Sequence, residues 1–228
     1  MKEDLDSFQL IIVIAKTWDS SLGKMYLYER THKNEAWQTS YKPMAVTLGK
    51  RGLAWGRGLH LSSICEKQEG DLKSPAGIFS LSTVFGFAPV EKIAFLEMPY
   101  LQLKESLEAV DDPESIYYNQ IVDRSIVSSP DWKSCEKMQE IPVYEWGIVI
   151  DHNFPKPIPA LGSAIFFHLW REAGHPTAGC TAMSYENMQT LLTFVSDKKK
   201  PMLLQLPKDV YLDWQKKYQL PVIGKELL

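Results

Sequence analysis

The chain has 228 residues, 45% hydrophobic and 23% charged, with 25 Lys and Arg against 28 Asp and Glu. That length and balance suit one large globular domain with an ample core. A net charge of −3 without a basic stripe excludes an electrostatic case for nucleic acid, and no run approaches the ~18 apolar residues that a membrane-spanning helix needs.

Residues 8–15 (FQLIIVIA) are short, β-branched and apolar, which predicts a buried strand. A polar turn at 18–23 leads to 25–30 (MYLYER), whose alternation suits a hairpin partner. Further strands are expected from Trp37 and at 44–48 (MAVTL), so the core should be β-rich. Residues 49–58 hold four glycines in ten positions. Glycine reports backbone geometry first, so this is read as a loop, with Arg57 or His60 as candidates to face a ligand. It lacks the spacing of a phosphate-binding loop.

Ser74-Pro75-Ala76-Gly77 carries turn chemistry, and a strand resumes at 78–81. Glu69, Asp71 and Lys73 crowd beside it and read as a local polar scaffold rather than an acid–base pair. Residues 89–138 are mixed and leave room for an insertion. Within them we expect a strand at 93–98, a short helix or strand at 101–110, and aromatic walls at Tyr117 and Tyr118. A helix should begin near 128–132, with Ser129 as its cap before Pro130. No repeat or linker divides the chain, so residues 1–228 are expected to form one domain.

Strands are expected at 144–151 (YEWGIVID) and 162–170. In the second, the period of two puts Phe166, His168 and Trp170 on one face and Ile165, Phe167 and Leu169 on the other. Ser184 is placed to cap a helix over 185–196, whose Met188, Leu191, Leu192 and Val195 make an apolar stripe; Pro201 stops it. The run Lys198-Lys199-Lys200 would complement that helix's dipole. A last strand at 202–206 and an amphipathic helix at 209–218 complete the chain.

The chemistry concentrates in GSAIFFHLWREAGHPTAGCTAM, residues 162–183. A thiol needs a base to become a nucleophile, and a strand histidine, His168, returning to a loop cysteine, Cys180, supplies one. If Cys180 sits just before the helix, backbone N–H groups there would lower its pKa and hold an oxyanion. The plain alternative is a buried free cysteine beside a satisfied core histidine. Cys65 and Cys135 complete the set; two unpaired, partly buried thiols are expected. A zinc hydrolase assembled from His168, His175 and Cys180, with His60, is disfavoured because H-x6-H is not a helical metal pair and turn residues flank His175.

The words around the pair resemble the L,D-transpeptidase (YkuD-like) catalytic domain. PTAGCTAM after FFHLWR looks like a branch that writes its nucleophile turn as TAGCTAM. Residues 52–58 (GLAWGRG), 69–79 (EGDLKSPAGIF), Asp111-Asp112-Pro113, Tyr117-Tyr118-Asn119 and 146–153 (WGIVIDHN) share its idiom, over roughly residues 42–192. The resemblance implies an α+β, mainly β fold of sandwich or barrel type with a few helices. It implies acyl transfer on peptidoglycan stem peptides through a thioester at Cys180, with His168 as base, its tautomer set by a main-chain carbonyl, and the Gly179 backbone as oxyanion donor. Trp170, Arg171, Thr177, Ala178, Arg57 and Tyr118 become the candidate substrate contacts. No cofactor or metal is implied, and a monomer is expected.

Two positions depart from the commoner pattern: Ala178 stands where a second histidine is usual, and Ala182 where an arginine often follows. Leu72 also replaces a usual glycine, which should stiffen its turn. These departures leave hydrolysis of the same bonds, or exchange with free D-amino acids, as alternatives to transfer. A wall-binding module without activity is a further alternative, which the retained Cys and His oppose. The family acts in the cell envelope, yet the acidic first residues and the short apolar run at 10–15 do not make a signal peptide. Export would use a signal outside this sequence or another route, or the protein acts elsewhere.

Overall fold

A computed structural model describes residues 5–39, 41–60 and 65–224. The acidic start of the chain falls mostly outside them. In chain order the strands are β1 (Gln9–Ala15), β2 (Leu22–Glu29), β3 (Met44–Thr47), β4 (Leu53–Trp55), β5 (Ser74–Gly86), β6 (Tyr100–Gln102), β7 (Leu107–Val110), β8 (Gln120–Asp123), β9 (Cys135–Lys137), β10 (Trp146–Ile150), β11 (Phe166–Leu169) and β12 (Thr181–Met183). Helix α1 (Tyr185–Phe194), strand β13 (Met202–Pro207) and helix α2 (Lys208–Lys217) follow. The protein is mainly β with two α-helices among the described residues, as its α+β reading requires.

Eight strands close on themselves in the order β10-β11-β12-β3-β2-β1-β13-β5, because β5 also pairs with β10. Strands β4 and β6 extend the sheet beside β5, and β7, β8 and β9 form a separate three-stranded sheet. Closure leaves no free edge in the ring and gives every strand two faces to bury. In β1 the alternation separates the faces: Ile11, Val13 and Ala15 join the inner core, while Leu10, Ile12 and Ile14 join an outer cluster with Tyr211 of α2. A third apolar cluster joins the ring to the small sheet through Phe85, Phe166, Leu107, Ala109, Met138 and Tyr144. That seam contains Cys180.

Helix α1 follows its sequence signature closely. The Ser184 hydroxyl accepts from Asn187 N at 3.2 Å, and Met188, Leu191 and Leu192 are fully buried. Gln9 holds its far end: Nε2 donates to Phe194 O at 2.5 Å and Oε1 accepts from Ser196 N at 2.8 Å. The helix stops at Phe194, before Pro201 is reached. The lysines that follow it serve other partners than the dipole. Lys199 pairs with Glu29 at 2.7 Å and Lys200 with Asp6 at 2.6 Å, both exposed and individually weak.

Several expected elements take other forms. Ser74-Pro75-Ala76-Gly77 is not a turn but the start of β5. Proline is tolerated there because the ladder to β13 ends at Gly77, and Gln205 Nε2 donates to Pro75 O at 2.9 Å in its place. Trp37 begins no strand: one bridge joins Glu29 to Gln38, and the Trp37 ring lies under the Arg30 guanidinium. Residues 93–98 are irregular rather than a strand, with Ile93 and Leu96 packed on the barrel core. The helix expected near Ser129 is absent. Asp131 instead accepts from Ser115 Oγ and Ile116 N, and Trp132 donates to Glu108, which fastens this segment to the small sheet.

Gly77 shows how tightly the ring is packed. Its φ of 143° is strained for any side chain, and an added Cβ would lie 2.1 Å from His60 Cε1. His60 cannot readily yield, because its Nδ1 accepts from Ile78 N at 3.2 Å and its ring packs against Trp55, Phe79 and Trp214. Gly77→Ala should cost about 3 kcal/mol, read as a lower urea midpoint. A loss below about 1 kcal/mol would show that His60 swings away freely.

Candidate functional site

Strand β12 runs parallel to β11, with Phe167 opposite Thr181 and His168 opposite Ala182. The same register brings Cys180 opposite Phe166. Because side chains alternate, Phe166 and His168 share a face of β11, and Cys180 and Ala182 share the matching face of β12. The face division expected for residues 165–170 therefore holds, since Ile165, Phe167 and Leu169 belong to the inner core. His168 and Cys180 meet as diagonal neighbours on the outer face. Both line a cleft of about 370 Å³.

Within that cleft the sulfur and the imidazole make separate hydrogen bonds. Cys180 Sγ accepts from Phe166 N at 3.3 Å and donates to Ala164 O at 3.4 Å. His168 Nδ1 donates to Leu169 O at 2.7 Å. A carbonyl only accepts, so the proton sits on Nδ1 and Nε2 is left as the basic nitrogen. The adjacent residue thus supplies the main-chain carbonyl that the resemblance implied.

Burial governs both groups. It lowers the His168 pKa to about 4, against a small opposing pull from the Leu169 carbonyl. It pushes the Cys180 thiol up to about 12, and the nearby Glu136 carboxylate adds to the rise. At neutral pH the resting pair is therefore thiol and neutral imidazole. This corrects the expectation of a thiol with depressed pKa. The helix that was to lower it begins only at Tyr185, because Cys180 leads directly into β12.

The turn before Cys180 is braced by hydroxyls. Thr177 Oγ1 donates to Cys180 O at 2.6 Å, and Ser74 Oγ donates to the same oxygen at 2.9 Å. Gly179 N donates to Thr177 Oγ1 at 3.2 Å. The Gly179 N–H is thus already engaged, whereas the Ala178 and Cys180 N–H groups have no acceptor among the described residues. Thr177 fixes the geometry of the loop as well as lining the cleft.

Six candidate residues come together around the cleft: Cys180, His168, Trp170, Arg171, Thr177 and Ala178, with Gly179 in the turn between the last of these and Cys180. Two do not join them. The Arg57 guanidinium donates to Lys156 O at 2.8 Å and reaches Asn153 Oδ1, bracing the loop after β10. Tyr118 is buried, and its hydroxyl donates to Glu69 at 2.5 Å. Glu69 also accepts from Ser163, and Asp71 pairs with the buried Lys67 at 2.8 Å, so the acidic cluster is scaffold as read. Neither expected aromatic wall, Tyr117 nor Tyr118, lines the cleft, whereas Trp170 does. Trp55 packs among Trp18, His60 and Trp214, and Tyr117 against Trp132.

Pattern reading missed the opposite wall. Glu136 on β9 and Ile141, Val143 and Tyr144 after it complete the cleft. Tyr144 donates to Glu136 at 2.5 Å, and its ring meets the edges of Phe166 and His168. Burial raises the pKa of Glu136 as well. Nothing local marks CEK or PVYE as part of a site; only the return of the small sheet onto the ring brings them there. His175 lines the cleft, half-exposed and 3.7 Å from Glu172, while His60 lies apart. Among the described residues no three His, Cys, Asp or Glu side chains converge as a metal-holding group. Cys65 and Cys135 are half-buried and unbridged.

Acid should loosen this region. His152, whose Nε2 donates to Leu161 O at 2.8 Å, has its pKa lowered by burial to about 4, like His168. Unfolding lets both protonate near 6.5, so their stabilisation is complete above that pH and is lost as pH falls towards 4. Each contributes at most about 3 kcal/mol. Asp151 and Glu136, raised by burial, act in the opposite sense. The urea midpoint should fall between pH 6.5 and 5; a flat profile there would contradict this balance.

The model of the YkuD family, described as the L,D-transpeptidase catalytic domain, matches residues 17–204. No curated protein matches the chain, and no solved structure does. The match covers the cleft just described and the strands of the ring other than β1, with β13 matched only at its start. Among the described residues no helix is long and apolar enough to cross a membrane.

Proposed function

The chain belongs to the YkuD family of L,D-transpeptidase catalytic domains, whose members act on peptidoglycan, and from this we propose that it transfers acyl groups on stem peptides through a thioester at Cys180. The observation that carries the reading is the pairing of Cys180 with His168 on one face of adjacent parallel strands, in one cleft, with Nε2 of His168 left free. The resting pair is neutral, so proton transfer accompanies attack. His168 Nε2 takes the thiol proton as Sγ bonds to the carbonyl carbon of the donor peptide. The Ala178 and Cys180 N–H groups are the available donors for the oxyanion.

Collapse of the tetrahedral species breaks the C–N bond to the terminal D-residue, whose amine leaves with the proton from His168. An acceptor amine then attacks the thioester, gives its proton to His168, and the thiol is restored. Arg171 lines the cleft, which supports reading it as the partner of a stem carboxylate in a forked pair. Hydrolysis and amino-acid exchange share the acyl-enzyme and differ in the second nucleophile. Purified protein incubated with disaccharide tetrapeptide, with and without a D-amino acid, should give cross-linked dimer or exchanged peptide by mass. Trimmed tripeptide stem alone would make it a hydrolase, and unchanged substrate would remove the enzymatic reading.

A further inference from the structure

Next to the cysteine cleft lies a larger cavity, of about 630 Å³. It is bounded by β5, the small sheet, the loop after β10 and the segment 164–166 that precedes and enters β11. Its walls include Leu101, Ile121, Phe154 and Phe166, and among the described residues one carboxylate, Asp151, lines it. We propose that this cavity is a binding subsite for a primary ammonium group on an alkyl stem, anchored by Asp151; naming that group as the side chain of a stem diamino acid rests on the proposed function.

Asp151 follows the last residue of β10, and its backbone N donates to Ser80 O at 3.0 Å. Its two carboxylate oxygens each accept one serine hydroxyl, Ser82 Oγ on Oδ1 and Ser80 Oγ on Oδ2, both at 2.7 Å. Two neutral donors orient the group but do not neutralise it. A carboxylate accepts about four hydrogen bonds, so two positions stay open towards the cavity. Among the described residues no lysine or arginine lines the cavity, and the one histidine that does, His152, spends Nε2 on Leu161 O and Nδ1 on Arg57 N. A half-buried carboxylate without a cation is costly unless a ligand brings one. Burial accordingly raises its pKa.

The surroundings select an alkylammonium over a compact cation. An ammonium offers three donors at the tip of an apolar stem, matching one carboxylate beside the apolar side chains of Leu101, Ile121, Phe154 and Phe166. Asn119 also lines the cavity, but its amide is occupied by His152 O, Asn153 O and Ala164 N. The cavity also adjoins the sulfur. Ala164 and Phe166 line it, and Ala164 O and Phe166 N are the groups that hold Cys180 Sγ. A ligand seated there lies across one stretch of backbone from the thiol.

The test measures binding, not turnover, and so stands apart from the acyl-transfer reading. The tripeptide L-Ala-D-Glu-L-Lys and its Nε-acetylated form are titrated calorimetrically into the full chain. The amine form should bind at least tenfold more tightly than the acetylated one, and Asp151→Asn should abolish that preference while leaving the melting temperature within a few degrees. Should Asp151→Asn unfold the protein, Ile121→Lys gives an independent answer by placing its own ammonium in the cavity, which should weaken the amine peptide at least tenfold. Equal affinity for both peptides, no binding of either, or a preference untouched by the variants would overturn the proposal. Ammonium-selective binding in a protein that makes no acyl-enzyme would keep the subsite and sink the acyl-transfer reading instead.

Discussion

Cys180→Ala should abolish turnover, by at least about 10³-fold, with the fold retained. The side chain is buried and makes two weak hydrogen bonds, to Phe166 N and Ala164 O. Losing them leaves one backbone N–H underused, worth about 1 kcal/mol of stability. Melting followed by circular dichroism should show a shift of only a few degrees. A carbapenem should add its mass to the wild-type chain at Cys180 and leave Cys180→Ala unmodified.

Ordinary thiol reagents should behave differently from the carbapenem. Burial places the Cys180 thiol at about 12 and Cys135 at about 11, and it raises Cys65 as well. Cys180 is also the only one of the three that is buried. Iodoacetamide should therefore label Cys65 and Cys135 first, and labelling of Cys180 should climb about tenfold per pH unit up to its pKa. Cys65→Ala and Cys135→Ala should keep full turnover. Rapid alkylation of Cys180 at neutral pH, level across pH 6 to 8, would mean a preformed thiolate and contradict the neutral resting pair.

Local patterning carried the ring a long way. The alternation in 162–170, the cap at Ser184 and the apolar run of β1 each state their own burial, because one face of each element meets the core. The juxtaposition of Cys180 and His168 was legible for the same reason: a strand and a turn twelve residues apart form one parallel unit. What failed depended on distant partners. Pro75 reads as a turn until Gln205, 130 residues away, takes its carbonyl. Arg57 and Tyr118 read as cleft residues until the loop after β10 and Glu69 claim them.

The pKa of Cys180 was misjudged through one wrong neighbour. A helix start was expected beside it, and the structure puts β12 there and Glu136 from the small sheet opposite. Leu72 is a milder case. It occupies the left-handed region at a φ of 62°, where the family's usual glycine would be unstrained. The sequence named the substitution, and the backbone shows the strain it carries.

His168→Ala should lower the rate of acylation by about 10²- to 10⁴-fold, the usual worth of a positioned general base. Stability alone cannot produce that loss, since His168 contributes one bond to its neighbour's carbonyl and an edge contact with Tyr144. The pH profile separates the two roles. In the wild type the imidazole is already neutral above its pKa of about 4, so the acylation rate should vary little between pH 6 and 8. Without the base, attack depends on the small fraction of free thiolate, and the rate should rise about tenfold per pH unit across the same range. Added imidazole should restore part of the activity to His168→Ala at pH 7, because removing the ring leaves space beside the small Ala182 side chain. A variant that acylates carbapenem at the wild-type rate and with the wild-type pH profile would show that His168 only holds the strand, and the base would then have to be sought at Glu136.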